Sequence, residues 1–379
     1  MRFKRIMLVL LCFLIILLSA CGNSQNGEGI NEVTPIIKSD LNVRGVWLTC
    51  YELSAMLKSG KQSDYIKHVN KMLDACDTKD LNTIFVHVRP FGDSVYPSEI
   101  FPLSKYILSS SGKKPQFDVL ETFISLAHER NYKVHAWINP YRISYDSDPD
   151  MLPANSIAKK ESVKSAVVRT STGFFLDPSS TVSRKLILDG AREVLDNYNV
   201  DGIHIDDYFY PTTDKSFDKD SYQAYCDIGG TLELKQWRTE NVNALVASLY
   251  SLVHTYEGKV FSVSPGGDIN KNINEYYADV KLWMRSEGFA DIIIPQIYYG
   301  FKNEKMPFEK VVEEWSALKR NDSVLLVCGL ALYKQGTEDE FAGSGSNEWI
   351  NDKDIIERQK EYIRTKGFVG YSLFSYNDF

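Results

Sequence analysis

The chain has 379 residues, 44% of them hydrophobic and 25% charged, with a formal net charge of −7. Those proportions suit a globular protein and exclude a disordered or fibrous one. Nucleic acid is not expected as a partner, because polyanion binding needs a concentrated basic surface and no basic cluster lies beyond the N-terminus.

At the N-terminus, Arg2, Lys4 and Arg5 precede an uncharged apolar run from Met7 to Leu18, and Leu18-Ser19-Ala20-Cys21 follows. A positive start, an apolar middle and small residues describe a secretory signal. The last four residues resemble a bacterial lipobox. The run is shorter than the ~20 residues a spanning helix prefers. The expectation is a lipoprotein signal peptide over 1–20, lipidation of Cys21, and an extracytoplasmic protein held on the bacterial cell membrane by its acyl chains. Residues 21–41 are polar and read as a flexible tether, leaving 42–379 as one folded domain. Cys50, Cys76, Cys226 and Cys328 show no metal-type spacing and suit free thiols, with one disulfide as the alternative.

From Asn42 onward short β-branched runs alternate with amphipathic helical patterns, the signature of βαβ units. The predicted strands are Gly45–Thr49, Thr83–Arg89, Lys133–Asn139, Gly202–Asp206, Val260–Ser264, Asp291–Tyr298, Val324–Leu330 and Phe368–Phe374. Between them Tyr65, Val69 and Met72 share one helical face, and so do Leu234, Trp237, Leu245 and Leu249. Eight such units predict an α/β fold, a single (β/α)8 barrel of TIM type; a doubly wound open sheet is the alternative. The connections from Tyr141 to Thr181 and from Tyr208 to Leu232 are long, as functional loops tend to be. The printed chain stops just after the eighth strand, so an eighth helix is apparently absent and the segment before the first strand is expected to cover that groove.

Alternate side chains of a strand share a face. Polar residues two apart at the C-terminal ends of barrel strands therefore point together into the mouth, where barrel active sites are built. His87 and Arg89 end the second strand, and His135, Trp137 and Asn139 the third. His204 and Asp206 end the fourth, with Asp207 and Tyr208 in the turn after it. Gln296 and Tyr298 end the sixth, and Asp268 follows the fifth. Adjacent carboxylates raise each other's pKa, an arrangement found most often at functional sites. Glycoside hydrolysis uses two carboxyl groups. Asp206 is the central candidate, paired with Asp207 or with Asp268; capping of the following turn is the structural alternative for Asp207. Asp93 and Asp378 are weaker candidates. Tyr96, Trp137, Tyr141, Tyr208, Tyr210, Tyr298, Tyr299 and Tyr376 lie at or beyond strand ends, where flat rings can stack on sugars. His87, His135 and His204 could converge on a metal, but they fit equally as donors to sugar hydroxyls. No metal and no cofactor is expected.

These stretches resemble the bacterial glycosyl-hydrolase-like family ten, of the divisome-localised type. The resemblance rests on Arg44-Gly-Val-Trp-Leu48, on the run from Val88 to Ser98, on His135-Ala-Trp-Ile-Asn-Pro-Tyr-Arg142 and on Asp201-Gly-Ile-His-Ile-Asp-Asp-Tyr-Phe-Tyr-Pro211. Ser264-Pro-Gly-Gly267 and Pro295-Gln-Ile-Tyr298 also match. It implies a barrel glycosidase acting on peptidoglycan strands that lack stem peptides. The segment from Asp201 to Asp206 is similar, more distantly, to the fourth-strand signature of amylase-type and chitinase-type barrels. That similarity implies a nucleophile or an acetamido-assisting carboxylate at Asp206, with Tyr298 holding the acetamido group. The chitinase pattern places its acid where this chain has Tyr208, which leaves the acid to Asp207 or Asp268. Arg89, Asp93, His135, Asn139, His204, Tyr208, Gln296 and Tyr298 are the expected substrate-binding residues. Two other readings remain: a non-catalytic glycan-binding surface lipoprotein, and a hydrolase of another polysaccharide such as an α-glucan.

Overall fold

The structure is a computed structural model and describes residues 42–379. The signal peptide, Cys21, the tether and any cover from the N-terminal segment lie outside the described residues.

The strands are β1 (Val43–Leu48), β2 (Thr83–Arg89), β3 (Lys133–Ile138), β4 (Arg142–Ser144), β5 (Val167–Thr170), β6 (Gly173–Leu176), β7 (Gly202–Ile205), β8 (Val260–Val263), β9 (Ile292–Ile293), β10 (Leu325–Leu326), β11 (Cys328–Leu330) and β12 (Gly370–Leu373). Nine of them form one parallel sheet in the order β10-β9-β8-β7-β3-β2-β1-β12-β11. Val327 alone separates β10 from β11, which are two pieces of one strand. Its N–H donates to Ile293 O at 2.9 Å, while Val369 N–H donates to Leu326 O at 2.9 Å from the other side. The ladder therefore runs round a barrel built from the eight expected strands, and the open-sheet alternative does not hold.

The predicted sixth strand, Asp291–Tyr298, is regular only over β9. Pro295 has no N–H to give to the ladder, so pairing continues as single bridges from Gln296 to Gly266 and Gly329. The three short strands β4, β6 and β5 form an antiparallel sheet inside the long connection after β3. Their sequence read as loop because three or four residues carry too little period.

The helices are α1 (Cys50–Met56), α2 (Gln62–Thr78), α3 (Val119–Glu129), α4 (Thr181–Asn197), α5 (Lys219–Asp227), α6 (Leu234–Val253), α7 (Ile269–Asn274), α8 (Val280–Arg285), α9 (Phe308–Ser316), α10 (Glu348–Asn351) and α11 (Ile355–Arg364). Side-chain caps define several starts. Asp118 accepts from the N–H groups of Leu120 and Glu121 to open α3, and Ser180 accepts from Val182 to open α4. Helix α2 buries Tyr65, Val69, Met72, Leu73 and Cys76, one stripe facing the sheet. The outer core lies between helices and barrel wall. A separate inner cluster, with Trp47, Phe85, Trp137, Ile292, Ile294, Leu325 and Val327, fills the barrel. After β12 the chain makes a short 3-10 turn, Tyr376–Asp378, that packs against β1. Tyr376 and Phe379 meet edge to face at 5.5 Å and lie against the outer core. Cys50, Cys76, Cys226 and Cys328 are free, and all but Cys226 are buried.

Candidate active site

The strand β7 delivers Asp206 to the mouth of the barrel. Its side chain is 2% exposed. Trp137 Nε1 donates to Asp206 Oδ2 at 2.9 Å, and Tyr208 N–H donates to Asp206 Oδ1 at 3.3 Å. Burial, and then the neighbouring Asp207 carboxylate, push Asp206 up to about 7. Asp207 is half-buried. Gln296 Nε2 donates to Asp207 Oδ1 at 3.1 Å and also to Ser264 O at 3.1 Å. Burial raises Asp207 as well, while the Gln296 hydrogen bond holds it down. The turn contact that was the structural alternative for Asp207 is made by Asp206.

Both carboxyls line a cleft of about 280 Å3, together with Trp137, Asn139, Tyr208, Gln296 and Tyr298. Asn139 Oδ1 accepts from Arg142 N–H at 3.2 Å, which fixes the bend after β3. The Tyr298 ring stands 5.9 Å from Phe374 and 6.0 Å from Tyr333, and burial raises its hydroxyl far above the ordinary range, so it stays protonated. Of the expected binding residues, Asn139, Tyr208, Gln296 and Tyr298 therefore meet around the carboxyl pair.

Arg89 does not. A bulge between His87 and Arg89 shifts the register of β2 against β3 and turns Arg89 to the outer face of the barrel. There its guanidinium lies 4.7 Å from the Phe101 ring, and Nη2 donates to Asn139 O at 3.2 Å. Gly190 of α4 makes this possible, since a Cβ there would come within 2.5 Å of Phe101 and 3.2 Å of Arg89 Nη1. Arg89 supports the bend from beneath. His135 and His204 point inward as expected but sit below the cleft, in the barrel interior. Trp47 Nε1 can only donate, so His204 Nε2 accepts its bond at 3.1 Å, and His204 Nδ1 carries the proton donated to Ser262 Oγ at 2.8 Å. Both ring nitrogens are used within the protein. Burial and the nearby His135 and His87 rings keep His204 neutral. Asp268 accepts from Asn270 and Lys271 N–H and caps α7; it is not among the residues of the cleft. Asp93 opens on a neighbouring hollow. Asp378 closes the 3-10 turn at the end of the chain through Ser375. Among the described residues, no group of three or more His, Cys, Asp or Glu side chains is arranged to hold a metal ion.

Sequence reasoning gave no site role to Arg142 and Tyr145, and left His87, a third residue of the cleft, open between a metal and sugar hydroxyls. Arg142 stacks its guanidinium 3.6 Å from the Tyr208 ring and 4.4 Å from Tyr145, and its charge lowers both Asp206 and Asp207. Tyr145 takes a 2.6 Å hydrogen bond from Arg142 Nη1. His87 stacks on Trp137 at 3.7 Å and 5°, and its Nε2 is buried with no hydrogen-bond partner among the described residues. Arg142 and Tyr145 lie beyond a strand end, where parity gives no direction. Arg142 nonetheless closes the motif Asn139-Pro-Tyr-Arg142 and Tyr145 follows three residues later, the one signal that could have found them.

A family model described as glycosyl hydrolase-like 10 matches residues 42–343. The chain belongs to that family. Glycosyl hydrolase YngK of Bacillus subtilis is 30% identical over 363 residues, 89% of this chain and 69% of the relative. Glycosyl hydrolase DigH of Escherichia coli is 29% identical over 358 residues, 86% of this chain and 80% of the relative. The glycosyl hydrolase-like 10 family and these named glycosidases make the chain a glycoside hydrolase. The glycoside hydrolase domain of PgaB (BpsB) from Bordetella bronchiseptica superposes with a TM-score of 0.56 at 12% identity, covering 87% of this chain and 93% of that one. That likeness is one of fold.

Gln296 offers a direct probe of the pair. Removing its donor in Gln296→Ala raises Asp207, so the pair keeps its last proton to higher pH. The expected result is a kcat/KM profile whose alkaline limb moves upward, with activity at the optimum falling about tenfold, as for loss of a hydrogen bond to a charged group. A limb that stays in place removes Gln296 from control of the pair.

Proposed function

We propose that the protein hydrolyses cell-wall glycan outside the cytoplasm, with peptidoglycan strands lacking stem peptides as substrate. The observation that carries a hydrolytic reading is the pair Asp206 and Asp207 on one aromatic-walled cleft, with Asp206 pushed up to about 7. Adjacent carboxyls, one buried and one half-buried, hold one proton between them over a range reaching neutral pH, the state a glycosidase needs. Asp206, pushed up to about 7, holds the shared proton in the free enzyme; an N–H on each of its oxygens suits it to attack, or to assist the substrate's own acetamido group, once that proton has passed to Asp207. Asp207 has a bond on Oδ1 alone, leaving Oδ2 to carry a proton to the leaving oxygen. Tyr298, Asn139 and Tyr208 hold and stack the sugar, and Arg142 tempers the charge of the pair. The peptidoglycan substrate rests on the family resemblance of the motifs, and the location on the lipobox at Cys21.

The test is product analysis on a panel: amidase-treated peptidoglycan, untreated peptidoglycan, chitin oligomers and α-glucan. Release of reducing ends from the amidase-treated strands, above all others, is the expected result. Cleavage of α-glucan alone would transfer the substrate to that class. Saturable binding with no turnover on any glycan would mark a binding lipoprotein. For the anchor, Cys21→Ser is expected to move the protein from the membrane to the soluble fraction; unchanged retention counts against lipidation.

A further inference from the structure

The cleft that holds the carboxyl pair adjoins two hollows. One, of about 270 Å3, shares Arg142, Tyr145, Asp207 and Tyr208 with it. The other, of about 730 Å3, shares Phe91 and Tyr145 and lies between the loop after β2 and the connection that carries β4. Its volume falls in the range of roughly 300–1,000 Å3 usual for small-ligand sites.

A line of stacked groups joins this larger hollow to the cleft. It starts at Tyr208, passes through the Arg142 guanidinium to Tyr145, and reaches Phe91 at 5.0 Å. Phe91 lies 5.8 Å from Tyr106, nearly parallel at 27°, and Tyr106 meets Tyr51 at 5.1 Å. Tyr51 and Tyr145 are 54% and 52% exposed, so core packing does not account for them. Contiguous exposed rings of this kind mark binding surfaces. Asp93 stands on the same wall with its Oδ1 held by Phe91 N–H at 3.2 Å. Burial pushes Asp93 up to about 6, the condition of a carboxyl able to give or take a hydrogen bond. Rings for pyranose faces and a carboxyl for hydroxyls are the chemistry of a sugar site. The charged residues of its lining are Asp93, Asp146 and one cation, Lys105, so no basic cluster is there to draw an anionic ligand.

We propose that the hollow lined by Phe91, Asp93, Tyr106 and Tyr145 is a second glycan subsite, which holds the sugars next to the one cleaved and makes the enzyme act within a chain. The proposal rests on the reading of the protein as a glycan hydrolase. Tyr145 and Phe91 form the ridge between the two sites, and Tyr106 is the platform of the outer one.

The experiment follows kcat/KM along a series of N-acetylhexosamine chains of increasing length, released from amidase-treated peptidoglycan. Wild type, Tyr106→Ala, Tyr106→Phe and Asn155→Trp are compared. Asn155 is an exposed residue on the rim, and a Trp there fills the hollow without touching the core. Wild type is expected to gain about tenfold in kcat/KM once the chain is long enough to reach the hollow, the scale of one well-placed aromatic contact. Tyr106→Ala and Asn155→Trp should lose that gain, and Tyr106→Phe should keep it. A melting curve checks folding; should Tyr106→Ala fail to fold, Asn155→Trp carries the result. A gain with length that persists in the folded variants overturns the subsite and leaves the hydrolase reading standing. A wild type that cleaves no chain at any length overturns both.

Discussion

Replacing Asp206 by Asn is expected to lower kcat by about 10²- to 10⁴-fold, the range for loss of a positioned acid-base or nucleophilic carboxyl. The side chain is nearly isosteric, so the barrel should fold. The variant should in fact withstand heat better as pH rises. Asp206 sits at about 7 in the folded protein, above the value of ~3.9 for a free Asp. Between those two values the folded state binds more protons than the unfolded state, so wild-type stability falls as pH climbs through that window. Asn has no proton to lose. The difference in Tm between variant and wild type should therefore shift in favour of the variant from pH 4 to pH 7. One offset is expected at every pH: both Asp206 oxygens accept N–H groups, from Trp137 and Tyr208, and an amide can accept on one side alone. Reducing-end release and a pH series of melting curves check the two halves. Activity equal to wild type in a folded Asp206→Asn protein removes Asp206 from the chemistry.

Arg238→Met is expected to produce the largest loss of stability, about 3–5 kcal/mol, the usual result of stripping one partner from a buried ion pair. Arg238 and Asp218 are both fully buried. Arg238 Nε donates to Asp218 Oδ2 at 2.9 Å and Nη2 to Asp218 Oδ1 at 2.5 Å. Its remaining donors reach Tyr277 Oη at 2.9 Å, Thr213 O at 3.3 Å and Asp214 O at 2.7 Å. One guanidinium on α6 thus ties down the connection that follows Tyr208 and Tyr210, whose first residues line the smaller hollow beside the cleft. The uncompensated Asp218 charge, not the lost contact alone, accounts for the size of the effect. Pairing the change with Asp218→Leu should recover part of the stability, because no lone charge is then left buried. Thermal melting of the two single variants and the double variant measures this. A double variant that melts below both singles would show that the carbonyl contacts of Arg238 outweigh the ion pair.

The sequence by itself determined the barrel and the position of its central carboxyl. Each strand carries its own β-branched core and each helix its own apolar stripe, so the alternation survives without knowledge of any partner. Asp206 was found by parity along β7, where Ile203 and Ile205 face outward and His204 and Asp206 inward, and a short regular strand obeys that rule. The tertiary structure decided what parity could not. A bulge of one residue turned Arg89 from the mouth to the outer wall. Trp47 and Ser262, on strands far apart in the chain, took both nitrogens of His204 into the barrel interior. Asp268 caps a helix that the loop geometry placed beneath it. Arg142 and Tyr145 came to the cleft through a small antiparallel sheet too short to leave a pattern. Except at Asp268, whose cap contacts are local, the deciding contacts lie between residues distant in sequence. A strand's own pattern fixes which way its side chains point, but burial and the supply of hydrogen-bond partners fix what each side chain is free to do.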